Sequence, residues 1–240
     1  MPWGLAIVIA LAAVANWYSR RPDREADDNS PWLEWLTKPV VTVGLIFGAD
    51  LVDAADPAQQ RWFLIALAFC LFGDLALMWQ PELFRSGLVS FLVGHTAFVA
   101  GFAARSEPAP VWSIVTCGLV LAACLVIGVR RLLPAVRRRA PRQLGPVAAY
   151  ISVIAVMAVA SWWGGHWAAP TAAAVFAVSD LTLADNKFVT ERPWSPVIVM
   201  VTYHLALALL VVSLSRCPTP IDRWPASRLG LAGVPRARRA

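Results

Sequence analysis

Eight apolar runs follow one another along the chain, at about residues 3–18, 35–53, 62–80, 84–104, 111–133, 146–163, 170–188 and 195–215. A bilayer core takes roughly 20 helical residues to cross, so each run is near the length of one span. In lipid every backbone polar group must be satisfied internally, which leaves helices as the reading for apolar runs of this length. The separators agree with helix ends. Arg20 to Ser30, Asp53 to Gln60, Gln80-Pro81-Glu82, Ser106 to Pro110, an arginine-rich loop, Gly164-Gly165 and Glu191 to Pro193 are charged or turn-forming. The proline in several of them has no backbone N–H to donate. The expected fold is all-α, a polytopic transmembrane bundle of about eight helices. It forms a single domain over residues 1–216, followed by a basic, disordered tail over 217–240.

Charge supports this and excludes other classes. Only 15% of the 240 residues are charged, against roughly 25% in a soluble domain, too few to cover a water-facing globule. The net charge of +6 is clustered: six arginines lie between Arg130 and Arg142, and six more between Arg216 and Arg239. Basic clusters beside apolar spans are what cytoplasmic loops and anionic headgroups favour. No nucleic-acid motif accompanies them, so nucleic acid is not an expected partner; the lipid bilayer is. The chain is expected as an integral protein of the cell membrane. Cys70, Cys117 and Cys124 lie inside apolar runs without metal spacing and read as small buried hydrophobes. The first run ends in Ala13-Val14-Ala15 but lacks the basic start of a signal peptide, so a retained first helix is expected.

Two residues do not belong in such runs. Asp74 sits within Leu71-Phe72-Gly73-Asp74-Leu75-Ala76-Leu77-Met78, and Asp180 within Val178-Ser179-Asp180-Leu181-Thr182-Leu183. An ionised aspartate near a helix centre costs about 2.5–3.5 kcal/mol on insertion scales, so both are expected to face one enclosed polar chamber. The plain alternative is an Asp that caps a broken helix or bonds a neighbouring one. Two carboxylates in a poorly hydrated site cannot both ionise cheaply. One then holds a proton near neutral pH while the other stays charged, a combination suited to cleavage through a cationic transition state. The weaker signals are His95, mid-run in Phe91-Leu92-Val93-Gly94-His95; Lys38, able to bind a phosphate headgroup or to snorkel; and His204 beside Tyr203. His166, in a Gly-Gly-His-Trp loop, and Asp50, Asp53 and Asp56, at a solvated helix end, read as structural. Glu82 and Arg85 form a tight loop. No phosphate loop, nucleophile elbow or zinc-binding helix is present, and neither a cofactor nor a metal is expected.

At these positions the sequence resembles the YhhN family of membrane lysoplasmalogenases. The resemblance rests on Lys38-Pro39; on Gly73-Asp74 with Phe84, Gly87-Leu88, Phe91 and His95; on Ser179-Asp180-Leu181-Thr182-Leu183-Ala184 with Asn186-Lys187-Phe188; and on Thr202-Tyr203. Order and spacing agree over about residues 35–215. The resemblance implies an eight-helix hydrolase that cleaves the vinyl ether bond of lysoplasmalogens to a fatty aldehyde and a glycerophospho-alcohol, so a lysophospholipid is the expected substrate. It implies Asp74 and Asp180 as the catalytic pair. Lys38 or Lys187 would hold the phosphate, and His95, Ser179, Asn186 and Tyr203 would complete substrate binding. This chain departs from the family pattern at Phe98, His204 and Leu207, each replacing a polar group usual there. Two rival readings use the same residues: a metal-dependent hydrolase built on His95, His204 and an Asp, and a small transporter relaying protons through the Asp pair.

Overall fold

Proline, glycine and charge end the helices at the expected breaks, apart from two places where the chain stays helical for a physical reason. The computed structural model describes residues 2–22, 31–79, 83–105 and 107–216; the expected tail and Glu82 lie outside the described residues. Among the described residues the chain forms eight helices: α1 (Trp3–Ser19), α2 (Pro31–Leu51), α3 (Pro57–Trp79), α4 (Phe84–Ala103), α5 (Val111–Arg139), α6 (Leu144–Ala160), α7 (Ala168–Phe188) and α8 (Ser195–Ser213). Consecutive helices run in opposite directions. Asp56 caps α3, its Oδ1 accepting the backbone N–H groups of Ala58 and Gln59 at 2.7 and 2.9 Å, which is the work of an N-cap aspartate before a first-turn proline.

The first departure is the arginine stretch, expected as a loop but helical to Arg139. Residues Gly128–Leu132 form a π turn inside α5, where the Leu133 N–H reaches back to the Gly128 carbonyl. Pro134 follows at once. A proline inside a regular helix clashes with the carbonyl four residues before it, and a widened turn makes room for the ring without ending the helix. The second departure is α2, which starts at Pro31 and carries Pro39 inside it.

Among the described residues five helices are long and apolar enough to cross a membrane: Pro57–Met78, Arg85–Ala103, Val111–Arg139, Pro141–Trp163 and Ser195–Ser213. The apolar α1 is shorter, 17 residues. The two that fall short in apolar character, α2 and α7, are those that carry Lys38 and Thr42, and Ser179, Asp180 and Asp185. Both pack against neighbours on several sides. The chain is an integral membrane protein, and the tryptophans frame it: Trp3, Trp32, Trp112, Trp163, Trp167 and Trp194 are exposed at helix ends, where indole rings sit at headgroup level.

Packing positions the polar residues. The α3–α4 and α7–α8 pairs are the most extensive in the bundle. On α4, Gly87, Gly94 and Gly101 recur every seven residues and face α3; a Cβ on Gly94 would stand 3.1 Å from the Ala66 carbonyl oxygen and 3.3 Å from Cys70 Sγ. Small residues permit this approach between membrane helices. Below it Phe63 meets Phe98 and Phe102 edge to face, at 5.0 and 5.2 Å between ring centroids. Phe98 therefore belongs to an apolar aromatic cluster. On α7, six alanines among eleven buried residues let α5, α6 and α8 close around it.

At the end of the bundle away from the arginines, the α4–α5 and α6–α7 connections lock together. Ala109 N–H donates to the Trp162 carbonyl at 2.8 Å, and the Arg105 guanidinium lies on Gly165, whose φ is +68° and where a Cβ would come within 2.4 Å of Arg105 Nε. His166 is buried in this lock and its Nδ1 accepts the Ala168 N–H at 3.1 Å. Burial, and then the Arg105 charge, hold its proton affinity below the ordinary histidine value. The folded protein therefore declines a proton that the unfolded chain takes up below about pH 6.5. Stability is full above that pH and falls below it. Replacing His166→Gln should flatten the decline of thermal stability in detergent between pH 6.5 and 5 by up to one proton's worth, about 1.4 kcal/mol per pH unit; an unchanged slope would show that His166 titrates alike in both states.

Candidate functional site

Asp74 is buried on α3 and accepts donors from two other helices. Lys38 Nζ of α2 stands 3.2 Å from Oδ1. Thr42 of α2 and Tyr203 of α8 each donate a hydroxyl to Oδ2 at 2.9 Å. Lys38 and Thr42 are four apart and so share a helix face. Lys38 is only 2% exposed, so its ammonium compensates the carboxylate instead of reaching the membrane surface. Behind it, α1 contributes Asn16, donating to Thr37 Oγ1 at 3.2 Å, and Trp17, whose indole N–H donates to His204 Nδ1 at 3.0 Å.

Asp180 of α7 has a different company. His95 Nε2 of α4 lies 3.3 Å from its Oδ2, and Tyr150 of α6 donates its hydroxyl to the same oxygen at 3.3 Å. His95 Nδ1 is 2.7 Å from the Phe91 carbonyl oxygen. Phe176 lies between the two clusters, its ring centroid 4.5 Å from that of His95 and 5.7 Å from that of Tyr203. Phe91 meets Tyr203 edge to face at 5.9 Å. The carboxylates thus occupy two adjoining clusters that meet at Phe176, where the sequence suggested one enclosed polar chamber.

A cavity with an opening to the outside runs beside Asp180 between α4, α5, α6 and α7. Its walls are leucine, isoleucine, valine, alanine and phenylalanine side chains, interrupted by Asp180, Tyr150, Cys124 and, toward the end of α7, Lys187. Asp180 and Lys187 are seven residues apart on one face of α7, about 10 Å along the axis. Lys38, Asp74, His95, Ser179, Asn186 and Tyr203 do not line it. Ser179 Oγ donates to the Val199 carbonyl at 3.1 Å and Asn186 Oδ1 accepts the Arg192 backbone N–H at 2.7 Å; both tie α7 to α8 and the turn between them. Near the mouth Asp185 binds Arg131 at 2.8 Å and Arg192 at 2.5 Å, and Arg139 donates to the Phe188 and Val189 carbonyls. This clamp fastens the basic end of α5 to the end of α7.

Sequence reasoning missed Tyr150, Thr42 and Phe176. The first two left a trace: a hydroxyl in an otherwise apolar run, and a hydroxyl one turn after Lys38. Phe176 left none, since a phenylalanine in a membrane helix is ordinary. His95 and His204, paired in the metal-hydrolase reading, sit in different clusters. Among the described residues no group of three or more His, Cys, Asp or Glu side chains is placed to hold a metal ion.

A model described as the YhhN family matches residues 33–214, which contain both clusters and the cavity but not α1. Lysoplasmalogenase TMEM86A of Homo sapiens is 30% identical over 178 residues, 71% of this chain and 71% of that protein. Lysoplasmalogenase TMEM86B of Sus scrofa is 29% identical over 195 residues, 80% of each chain. Lysoplasmalogenase TMEM86B of Homo sapiens is 30% identical over 193 residues, 78% of this chain and 79% of the relative. No solved structure matches.

The buried ion pair makes its own prediction. Removing one partner leaves an uncompensated charge, a loss of about 3–5 kcal/mol. Lys38→Met should lower the thermal midpoint in detergent sharply, and adding Asp74→Asn to it should recover most of the loss. If the single variant is as stable as the parent, the pair does not compensate charge in the fold.

Proposed function

The chain belongs to the YhhN family, and we propose on that premise that it is an integral hydrolase of the cell membrane that cleaves the vinyl ether bond of lysoplasmalogens. The observation that carries this reading is one carboxyl group, Asp180, in the wall of a largely apolar cavity that Lys187 also lines. An amphiphile has the matching shape. The alkenyl chain lies among the apolar side chains, the sn-1 ether beside Asp180, and the phosphate at Lys187, where a charge-assisted bond favours it. The separation of about 10 Å along α7 suits a glycerol backbone with its phosphate. Lys187 lines the cavity and Lys38 does not, which favours Lys187 for the phosphate.

In this reading Asp180 gives a proton to the alkenyl carbon β to the ether oxygen. The π pair forms the new C–H bond, and the ether oxygen shares a lone pair with the adjacent carbon as an oxocarbenium ion. Water adds to that carbon, and its proton returns to the Asp180 carboxylate. The hemiacetal then transfers its hydroxyl proton to the ether oxygen as the C–O bond breaks, leaving aldehyde and glycerophospho-alcohol; one water is consumed. Asp74 is the second carboxylate of the pair. With Lys38, Thr42 and Tyr203 it holds the polar side of the aromatic wall next to the developing cation. His95 and Tyr203 orient the two carboxyl groups, while Ser179 and Asn186 set the position of α7.

Aldehyde release from lysolipids in detergent or proteoliposomes tests this. A vinyl ether at sn-1 should be cleaved, and an alkyl ether should not, because it has no π bond to protonate. Asp180→Asn should lower kcat by about 10²–10⁴, the range of a lost general acid, and Asp74→Asn should also remove most activity. Lys187→Met should act on KM, raising it about 10- to 100-fold, as expected for a charge-assisted bond of about 1.5–3 kcal/mol. Full aldehyde release by the Asp180→Asn variant would end the proposal.

A further inference from the structure

Two acceptors constrain His95 from opposite sides. Nδ1 lies 2.7 Å from the backbone carbonyl oxygen of Phe91, which can only accept, so Nδ1 carries a proton. Nε2 is buried and makes no aligned hydrogen bond among the described residues; what it faces, at 3.3 Å, is Asp180 Oδ2. A neutral imidazole with its proton on Nδ1 presents a lone pair at Nε2. Set against an ionised carboxylate, that lone pair would be an acceptor facing an acceptor, in surroundings of Phe176 and Tyr150 rings 4.5 and 5.4 Å away. An unpaired contact of that kind is costly where water is excluded.

We infer that His95 and Asp180 share one proton, and that this dyad is the acid of the site, with His95 a positioning residue that acts through Asp180. The proton rests on either partner, as imidazole with carboxylic acid or imidazolium with carboxylate; both arrangements satisfy Nε2 and Oδ2. Tyr150 donates to the same oxygen, and Asp180 is the member of the dyad that lines the cavity, so the shared proton leaves for the substrate carbon from Asp180 Oδ2. Asp74 has a different environment, with an ammonium and two hydroxyls directed at it. The two carboxyl groups therefore divide the work that their sequence contexts left undivided.

This inference rests on the lysoplasmalogenase reading for its substrate and adds a reason for turnover. When the dyad gives up its proton to the vinyl ether carbon, Nε2 and Oδ2 are left as two acceptors in contact. That repulsion favours recapture of a proton from the water that adds to the oxocarbenium ion. The proton lost in the first step is regained in the second, and no other co-reactant is needed.

Nitrogen-15 NMR of protein labelled at its three histidines, with His95 identified by His95→Gln, tests the dyad without any turnover. The expected spectrum has Nδ1 of His95 protonated at neutral pH, and an Nε2 resonance displaced from that of a plain acceptor nitrogen. Asp180→Asn should return Nε2 to the plain acceptor position while Nδ1 stays protonated. An unprotonated Nδ1 in the parent protein, or an Nε2 resonance indifferent to Asp180→Asn, overturns the inference. In the aldehyde assay, His95→Gln should lower kcat about 100-fold or more and leave KM within about threefold, since His95 does not line the cavity; an unchanged kcat overturns its role in the acid. If the parent protein releases no aldehyde from any lysolipid, the substrate reading falls, and the NMR result still decides the dyad.

Discussion

A carboxyl group inside an apolar bundle has to find its hydrogen-bond partners on other helices, because its own helix spends its backbone donors on itself and lipid offers none. In this protein that requirement arises at Asp74 and again at Asp180, and the packing follows from the answers. Asp74 draws α2 and α8 onto α3 through Lys38, Thr42 and Tyr203. Asp180 draws α4 and α6 toward α7 through His95 and Tyr150. Six of the eight helices thus meet at two polar points, and the rings of Phe91 and Phe176 join one point to the other. The least apolar helices, α2 and α7, are held in the bundle by the same polar side chains that make them poor spans taken alone.

The two points are not equivalent, and the difference is chemical. Around Asp74 the partners are an ammonium and hydroxyls, a set that accommodates fixed charge. Around Asp180 they are an imidazole and a phenol, and one flank opens on the cavity. A proton that can move is useful only where substrate can reach it. In the proposed reaction the apolar walls keep water away from the reacting carbon until the oxocarbenium ion exists, and accept a lipid tail that has no other specific feature to recognise.

The basic end of the molecule serves two purposes. The π turn before Pro134 keeps α5 helical through its arginines, so that Arg131 and Arg139 arrive at Asp185 and at the last carbonyls of α7. Those contacts close the mouth region mechanically. They also collect positive charge where a phosphate would enter, and cations near a helix C-terminus are favourable in themselves. Phe98 and Leu207 are buried in the apolar core, and His204 is bound by Trp17 of α1.

Helix number, most of the breaks between helices and the two misplaced aspartates were legible in the sequence because each is a local property: the free energy of moving a residue into lipid depends on the residue and its immediate neighbours. Lys38 and His95 were visible for the same reason, as polar groups in apolar runs. The partners of each aspartate were not. Thr42 is 32 residues from Asp74 and Tyr203 is 129 away, while Tyr150 is 30 from Asp180, and which of them meet depends on how helices are rotated and staggered against each other. That rotation is set by side-chain shape along whole interfaces, such as the glycine face of α4 and the alanine faces of α7. Tertiary packing alone therefore decided that the carboxyl groups lie in two adjoining clusters, and that Asp180 and not Asp74 borders the cavity.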